Sequence, residues 1–518
     1  MTIFNEHERG LATSIGTLGF TNPFLEKRIE LERLILKDEF VPLHNYWNAT
    51  QSLEENPNVV AITTLAHHLL HQARIRLSAG EAFVDAAERD VYRSLVLFAL
   101  YYVCEDSLYQ YILTSDRSHL QFDAFTEQVN YYIADIQHGV PQEEATGFGN
   151  MDPAHLYALF FVIRRAFHFI FRYIFGASGA VARLRAAVWE SVFTASMERY
   201  HRSLYQRMDL ITTLILGKTG TGKDLVARAI GVSRYIPFNK STGDFAAPFG
   251  QKYYPINLTA LSPTLIESEL FGYVKGAFTG AVKDTDGFLD SGGPYSTLFL
   301  DEVGDVSADI QVKLLRVLQS GEYTKVGTRH IRRFEGKVVA ATNLNLQQRI
   351  DENRFREDLY FRLCADVIHT PTLFEQICDN PAELSTIVRQ LASTLVGEVE
   401  CDELTRLTMS FIETQMPQGY TWPGNIRELE QCVSNILVHG RYSPMQKIPR
   451  AMQSLAHVIE QGEVTADGLL RAYCTHVYAR TGSYVETAKR LNIDRRTVKS
   501  HIDDSLLAEL QSSNTINR

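Results

Sequence analysis

The stretch TTLILGKTGTGKDLVARAIG, residues Thr212–Gly231, decides the fold of the central region. It opens with a short apolar run typical of a buried strand and ends with the spacing of an amphipathic helix. Between them lies the G-x-x-x-x-G-K pattern of a phosphate-binding loop. We therefore predict a strand, a phosphate cradle and a helix in that order. The predicted cradle residues are Gly217, Lys218, Thr219, Gly220, Thr221, Gly222, Lys223 and Asp224.

The residue types of this loop suit nucleotide phosphates. Glycines let backbone N–H groups approach phosphate oxygens, and the following helix presents its positive end to them. Lys223 would neutralise the β- and γ-phosphates. Asp224 departs from the pattern, because a Ser or Thr usually stands there and contacts magnesium. A glycine-rich turn without a ligand remains an alternative for the loop taken alone.

Two further apolar runs end in polar residues that would complete such a site. STLFLDE ends in Asp301 and Glu302, and GKVVAATN ends in Asn343. In a nucleotide hydrolase one such carboxylate holds Mg²⁺ and its neighbour polarises the attacking water. Asn343 could sense the γ-phosphate or position that water, although a lone Asn is also a common turn residue. Short strands alternating with helical segments predict a parallel α/β sheet.

Between the loop and the acidic pair lies ESELFGYVKGAFTGAVKD, and here the sequence resembles the sigma-54-dependent activators, also called bacterial enhancer-binding proteins. The resemblance covers roughly residues 176–440. It implies an AAA+ fold with a helical lid, ATP and Mg²⁺ as cofactors, and a homo-oligomer, in this family a hexamer. It also implies contact with sigma-54 and RNA polymerase through the GAFTGA loop. That loop comprises Gly276, Ala277, Phe278, Thr279, Gly280 and Ala281.

Other segments match the family residue by residue. In FREDLYFRL, the resemblance implies that Arg356 and Arg362 reach the γ-phosphate bound by a neighbouring subunit. The same charges could instead form ion pairs on a helix surface. In WPGNIRELE it places Arg427 on the nucleotide, and in YYPINLTAL it makes Asn257 the polar partner of Glu302. The family generally carries an acid at the position of Asp224, whereas FEQICDNPAEL, residues 374–384, replaces an arginine-rich segment.

The C-terminal segment, residues 469–504, has three short helical patterns with LNID as a turn, which predicts a helix-turn-helix. It also resembles the Fis-type domain. Between residues 471 and 502, seven Lys or Arg face two acids, a local excess of five positive charges in a chain of net charge −10. We therefore expect double-stranded DNA to bind here, although a basic bundle without DNA is an alternative. The candidate contacts are Arg495, Arg496, Thr497 and Lys499.

Composition fits several globular domains, with 518 residues, of which 45% are hydrophobic and 22% charged. Six scattered cysteines without metal-like spacing indicate a reducing compartment, and we expect a cytoplasmic protein. No signal peptide pattern opens the chain. The apolar stretch Leu156–Phe175 is interrupted by Arg and His, which favours a buried helix and no membrane contact.

The predicted fold class is multidomain, α and α/β. The predicted domains are a helical regulatory domain of unknown signal (1–150), a helical connector (151–210), the AAA+ α/β core (211–375), its helical lid (376–440), a linker (441–464) and the helix-turn-helix (465–518). The predicted function is ATP-driven transcriptional activation. Two alternatives remain open at this point, a DNA-binding regulator that uses its AAA+ domain only to oligomerise and an AAA+ remodeller of another protein.

Overall fold

A computed structural model describes residues 2–42, 56–137, 151–260, 262–417, 419–444, 465–503 and 507. The chain divides into two compact units, Met1–Ile412 with Gly424–Gly440 and Glu413–Pro423 with Arg441–Arg518. The first unit contains the N-terminal helices together with the α/β core, without a division near residue 150. The predicted domain boundaries therefore stay predictions, and most of the predicted linker, residues 445–464, lies outside the described residues.

The N-terminal region is helical where it is described. Its helices are α1 (Glu6–Phe20), α2 (Glu26–Leu36), α3 (Pro57–Ser78), α4 (Ala86–Thr114), α5 (Phe122–Gln137), α6 (Pro153–Tyr173), α7 (Gly179–Phe193) and α8 (Met197–Arg202). Side-chain oxygens cap several of them; Asp85 accepts from the N–H of Glu88, and Asp152 accepts from that of His155. The helical run expected after Gly179 is interrupted, because Thr194 has φ 65° and ends α7.

Helix α6 lies in the centre of the first unit. It packs against α4 and α5 on the N-terminal side and against α9 (Lys223–Gly231), the helix of the phosphate loop. By length and composition α6 could cross a membrane, yet 83% of its most apolar window is buried inside the protein. The prediction of a buried helix is confirmed. One hydrophobic core extends from Ile3 through α6 to Ile368, a residue of the central sheet.

The central sheet has five parallel strands in the order β4-β5-β8-β1-β9. Its strands are β1 (Thr213–Leu216), β4 (Tyr253–Asn257), β5 (Thr297–Asp301), β8 (Lys337–Thr342) and β9 (Asp366–His369). The short antiparallel pairs are β2 (Phe238–Asn239) with β3 (Asp244–Phe245), and β6 (Glu322–Thr324) with β7 (Ile331–Arg333). Parallel strands end at one edge of a sheet, so the phosphate loop, the acidic pair and Asn343 lie at the same edge.

The remaining helices of the first unit surround this sheet or form the lid. They are α10 (Pro263–Phe271), α11 (Phe288–Ser291), α12 (Ala308–Ser320), α13 (Leu346–Asp351), α14 (Glu357–Leu363), α15 (Leu373–Asp379), α16 (Glu383–Gln415) and α17 (Asn425–His439). Gly397 interrupts α16, whose last residues belong to the second unit. The described helices near the C-terminus are α18 (Ala466–Thr481), α19 (Tyr484–Leu491) and α20 (Arg495–Ser500).

Candidate nucleotide-binding site

The predicted phosphate loop joins β1 to α9 in a conformation that requires its glycines. Gly220 and Gly222 have φ of 78° and 80°, in the left-handed region that L-residues avoid. At Gly217 a Cβ would overlap the hydroxyl of Thr370. The ammonium group of Lys223 is buried in the loop and donates to the carbonyls of Gly217 (3.1 Å) and Lys218 (3.3 Å). The loop thus has the shape and the charge that phosphate binding needs.

Asn343 links the phosphate loop to the acidic pair. Its side-chain Nδ2 donates to the Thr219 hydroxyl at 2.9 Å, and its backbone N–H donates to Glu302 Oε2 at 3.3 Å. Glu302 has a left-handed backbone, φ 56° and ψ 44°, and its N–H donates to Asp301 Oδ1 at 3.0 Å. Hydrogen bonds therefore connect the residues that follow β1, β5 and β8, and the bonded residues are up to 124 positions apart in the sequence.

Burial raises the pKa of both Asp301 and Glu302 above their ordinary values. The positive charge of Lys223 lowers the pKa of both carboxyl groups, and Arg427 lowers that of Asp301. The negative charge of Asp224 raises the pKa of Asp301 further. A carboxylate that burial makes costly to ionise is stabilised in its charged form by a nearby cation. One or two carboxylates with nucleotide phosphates are the ligands Mg²⁺ usually takes, so the residues present fit this ion.

The N-terminus of α17 docks on the phosphate loop. Asn425 donates from Nδ2 to the carbonyl of Thr219 at 2.9 Å, and the N–H of Ile426 donates to the carbonyl of Gly220 at 3.0 Å. Asn425 also accepts from the N–H of Leu373 at the start of α15 (3.0 Å). A Cβ at Gly220 would overlap the carbonyl of Gly424. Asn425 has φ 53°, a left-handed conformation that Asn tolerates better than most residues, and the sequence pattern did not single it out.

Three predicted site residues lie apart from these contacts. Arg356 and Arg362 are exposed on or beside α14, and Arg356 pairs with Asp358 at 2.7 Å. Neither arginine is among the main charges that act on the pKa of Asp301 or Glu302.

Asn257 lies opposite Asp301 in the sheet register, but its Oδ1 accepts from the N–H groups of Thr259 and Ala260. Among the described residues no hydrogen bond joins Asn257 to Glu302. Asn257 shapes the turn after β4, as Asn often does, and its pairing with Glu302 stays a prediction.

The GAFTGA segment forms a protruding turn. The N–H of Gly276 donates to the carbonyl of Ala281 at 2.9 Å and closes it. Gly276 and Gly280 have φ of 80° and 100°, and open space surrounds both. Thr279 is exposed, and Phe278, 43% exposed, lies with its ring 4.9 Å from that of Tyr273. An exposed aromatic ring next to an exposed threonine is a suitable contact surface for another protein.

The second unit presents the predicted basic helix. Asp494 caps α20 by accepting from the N–H of Arg496 at 2.7 Å, and Val498 is buried. Arg495, Arg496 and Lys499 are exposed, whereas Thr497 is half-buried. The third helix is shorter than the sequence pattern indicates, because it ends at Ser500. Its exposed side chains are nevertheless the predicted basic ones.

Residues 191–369 match the family described as the sigma-54 interaction domain. The chain contains a sigma-54 interaction domain. The matched range includes the phosphate loop, the GAFTGA segment, the acidic pair and both arginines of α14. The predicted resemblance and the AAA+ α/β fold are thus confirmed for this domain.

The chain is also similar to curated relatives over part of its length and part of theirs. The chain is 41% identical over 225 residues to the Nif-specific regulatory protein of Azotobacter vinelandii, covering 43% of this chain and 38% of that protein. It is 36% identical over 297 residues to the transcriptional regulatory protein ZraR of Escherichia coli, covering 55% and 62%. The chain thus spans about two fifths to three fifths of these relatives.

Among solved structures, NtrX from Brucella abortus in complex with ATP is similar over 65% of this chain and 68% of that one. The sequences are 22% identical and the TM-score is 0.38. This score is too low to support an inference about the fold.

Proposed function

We propose that the chain is an ATP-hydrolysing transcription activator that binds DNA and remodels a closed complex of sigma-54 and RNA polymerase. One observation carries the proposal. A phosphate loop, an acidic pair at a strand end and an exposed GAFTGA turn lie in one compact unit, inside a sigma-54 interaction domain. A platform that only oligomerised would need neither the acidic pair nor the turn.

In this proposal the residues of the site divide the work of hydrolysis. The loop N–H groups and Lys223 bind the phosphates, and Arg427 contacts them from the lid. Asp301 would hold Mg²⁺, which neutralises charge on the phosphates. Glu302 accepts a proton from the attacking water. Asn343 would register the γ-phosphate, because it already bonds both Thr219 and Glu302.

The site is completed by a neighbouring subunit in a ring, proposed as a hexamer. Arg356 and Arg362 are exposed and are not among the main charges acting on the acidic pair of their own chain. An arginine supplied in trans typically stabilises the charge that develops in phosphoryl transfer. Specific ATPase activity should therefore rise with protein concentration, and the platform alternative predicts no activity at any concentration.

The decisive experiment changes the GAFTGA turn. Thr279→Ala removes an exposed hydroxyl far from the phosphate loop in sequence, so ATP hydrolysis should stay within about twofold of wild type while open-complex formation by sigma-54 polymerase is lost. Thr114→Ala, at an exposed helix end, is the matched control. Open complexes formed at the normal rate by Thr279→Ala would contradict the proposal.

A further inference from the structure

The N-terminal helices enclose a cavity that no step of ATP hydrolysis uses. Its volume is about 90 Å³, and it borders a wider cleft of about 560 Å³. The residues that line both are Phe20, Thr21, Ser94, Trp189 and Met197. A buried void of about 150 Å³ holds benzene in another protein. The cavity with its adjoining cleft therefore has room for a molecule built on one ring.

The walls of the cavity are mainly aromatic and apolar. They include Phe98, Tyr101, Tyr102, Phe160 and Phe167. Flat rings pack favourably against such walls in offset or edge-to-face arrangements. Sites for small organic molecules typically combine such a lining with a few polar atoms that set orientation.

Two polar atoms of the lining residues are buried without a hydrogen bond to any residue that the structure describes. They are the indole Nε1 of Trp189, whose residue is 4% exposed, and Nδ1 of His201, whose residue is 8% exposed. A buried donor without a partner has lost its hydrogen bond to water, so native proteins rarely leave one unused. The Trp189 nitrogen can only donate, which calls for an acceptor on the ligand.

The lining of the 90 Å³ cavity itself offers no free positive charge for an acidic ligand, whereas Lys27 and Arg93 line only the adjoining cleft. Burial, together with the charges of His155 and Arg93, lowers the pKa of His201 to about 3, so this imidazole is neutral at pH 7. Arg28 is the other basic residue in the lining, and it already donates to Glu32 at 2.7 Å and to the carbonyl of Leu18. Burying an unpaired carboxylate here would be costly.

Helix α7 connects this cavity to the lid of the nucleotide site. Trp189 lies near its C-terminal end. At its other end, the N–H of Ala177 donates to Glu383 at 2.6 Å and that of Ala180 donates to Asp379 at 3.2 Å. Both acids belong to the lid helices α15 and α16, and α7 also packs on α9 and β9.

We propose that the cavity beside Trp189 binds a small, uncharged aromatic molecule with a hydrogen-bond acceptor, and that α7 transmits its presence to the lid. The binding site stands on the cavity alone. The transmission rests on the proposed ATPase function.

Calorimetry on the full chain with three single-ring probes tests the site. Benzamide is neutral with an acceptor, toluene has no acceptor, and benzoate is charged. Benzamide should bind best, and benzoate at least about tenfold more weakly because of desolvation. Equal binding of benzoate, or no binding of any probe to the folded chain, overturns the proposal.

Variants locate the probe. Trp189→Phe keeps a ring but removes the donor, so benzamide should bind about five- to tenfold more weakly while toluene is unaffected. Leu97→Phe fills the cavity and should abolish binding of both. Tyr157→Phe, which loses a buried hydroxyl outside the cavity lining, is the matched control. Thermal unfolding of each variant verifies folding. Unchanged benzamide affinity in folded Trp189→Phe and Leu97→Phe would place the probe elsewhere and overturn the proposal.

The ATPase rate with and without saturating benzamide tests transmission. The rate should change in wild type and stay constant in Leu97→Phe, which should not bind the probe. Binding without any change in an active ATPase overturns the transmission. A chain that binds benzamide but never hydrolyses ATP would contradict the proposed function and leave the binding site supported.

Discussion

Glu302 combines two features that are unfavourable for folding. Its left-handed backbone costs an L-residue roughly 1 to 2 kcal/mol, and burial raises the pKa of its carboxyl group. Such strain and desolvation persist at sites where function needs a group in one place and one state. The proposed role as the base of ATP hydrolysis accounts for both.

Glu302→Gln should therefore stabilise the nucleotide-free protein at neutral pH. The ionised carboxylate is disfavoured in the folded state, so wild type loses stability as pH rises from the unfolded pKa of ~4.3 through the higher folded pKa. Below ~4.3 the side chain is protonated in both states and the gain should vanish. Urea unfolding at pH 7.5 and pH 4 measures the difference in stability, with Glu127→Gln at an exposed position of α5 as the control. A stability gain that persists unchanged at pH 4 would contradict the prediction.

The same variant should lose catalysis but keep its substrate. Removing a general base lowers hydrolysis by roughly 10²- to 10⁴-fold, whereas Lys223 and the loop amides still bind phosphates. Steady-state hydrolysis and equilibrium binding of ATP separate the two effects. Hydrolysis within tenfold of wild type would exclude Glu302 as the base.

At the scale of elements, alanine substitutions at two glycines test the contact between the phosphate loop and α17. Gly220 and Gly276 have almost the same φ, 78° and 80°, so alanine adds similar backbone strain at each. A Cβ overlaps the carbonyl of Gly424 only at position 220. Comparing the two alanine variants therefore separates the effect of backbone strain from the effect of displacing the lid.

We expect Gly220→Ala to weaken ATP binding by at least about tenfold, equivalent to ~1.4 kcal/mol, since the lid must move away from the loop. Gly276→Ala should keep wild-type affinity. Equilibrium titration with a fluorescent ATP analogue measures both. Equal affinities for the two variants would mean that the docking of α17 does not support nucleotide binding.

Helix α20 is the element proposed to contact DNA. Replacing Arg495 and Arg496 by Ala should reduce the dependence of log K on log salt by about 0.9 for each lost phosphate contact. Arg406→Ala, an exposed arginine on α16, removes a similar charge and should leave the slope unchanged. Fluorescence anisotropy with a DNA duplex at several salt concentrations gives the slopes, and equal slopes for all chains would remove α20 from the interface.

At the scale of the whole molecule, the N-terminal helices and the α/β core belong to one compact unit. Helix α6 packs against α4 and α5 on one side and α9 on the other, and Phe160 and Phe161 are 3% and 1% exposed. The N-terminal region therefore covers apolar surface that the core needs buried. The predicted boundary near residue 150 thus lies between helices that pack on one core, and deleting residues 1–150 tests it.

Deletion of residues 1–150 should consequently aggregate the chain, because it uncovers the apolar face of α6. Deletion of residues 465–518 removes only part of the second unit and should leave a soluble protein. Light scattering and binding of a hydrophobic dye compare the two. A soluble, monodisperse chain beginning at residue 151 would show that the N-terminal region is an independent domain.

Local sequence was sufficient for the phosphate loop, the acidic pair and the GAFTGA turn. Each consists of a few consecutive residues, and their φ preferences, periodicity or charge determine the structure of a single strand or turn. The parallel sheet follows from the alternation of such segments, and a burial prediction for α6 follows from its charges. Asn257 shows the limit, because the motif did not indicate that its Oδ1 would accept from the N–H groups of Thr259 and Ala260 in the turn after β4.

Only the tertiary structure decided which distant segments meet. Asn425 bonds Thr219 across 206 residues, and Glu383 accepts from the N–H of Ala177, just before α7, across 206 residues. Trp189 lines a cavity formed by four separate stretches of the chain. Such contacts depend on how whole elements pack, and packing depends on shape complementarity summed over many side chains. No short sequence pattern contains this packing information. The sequence therefore identified the residues of the candidate site, while the fold determined which segments surround and connect them.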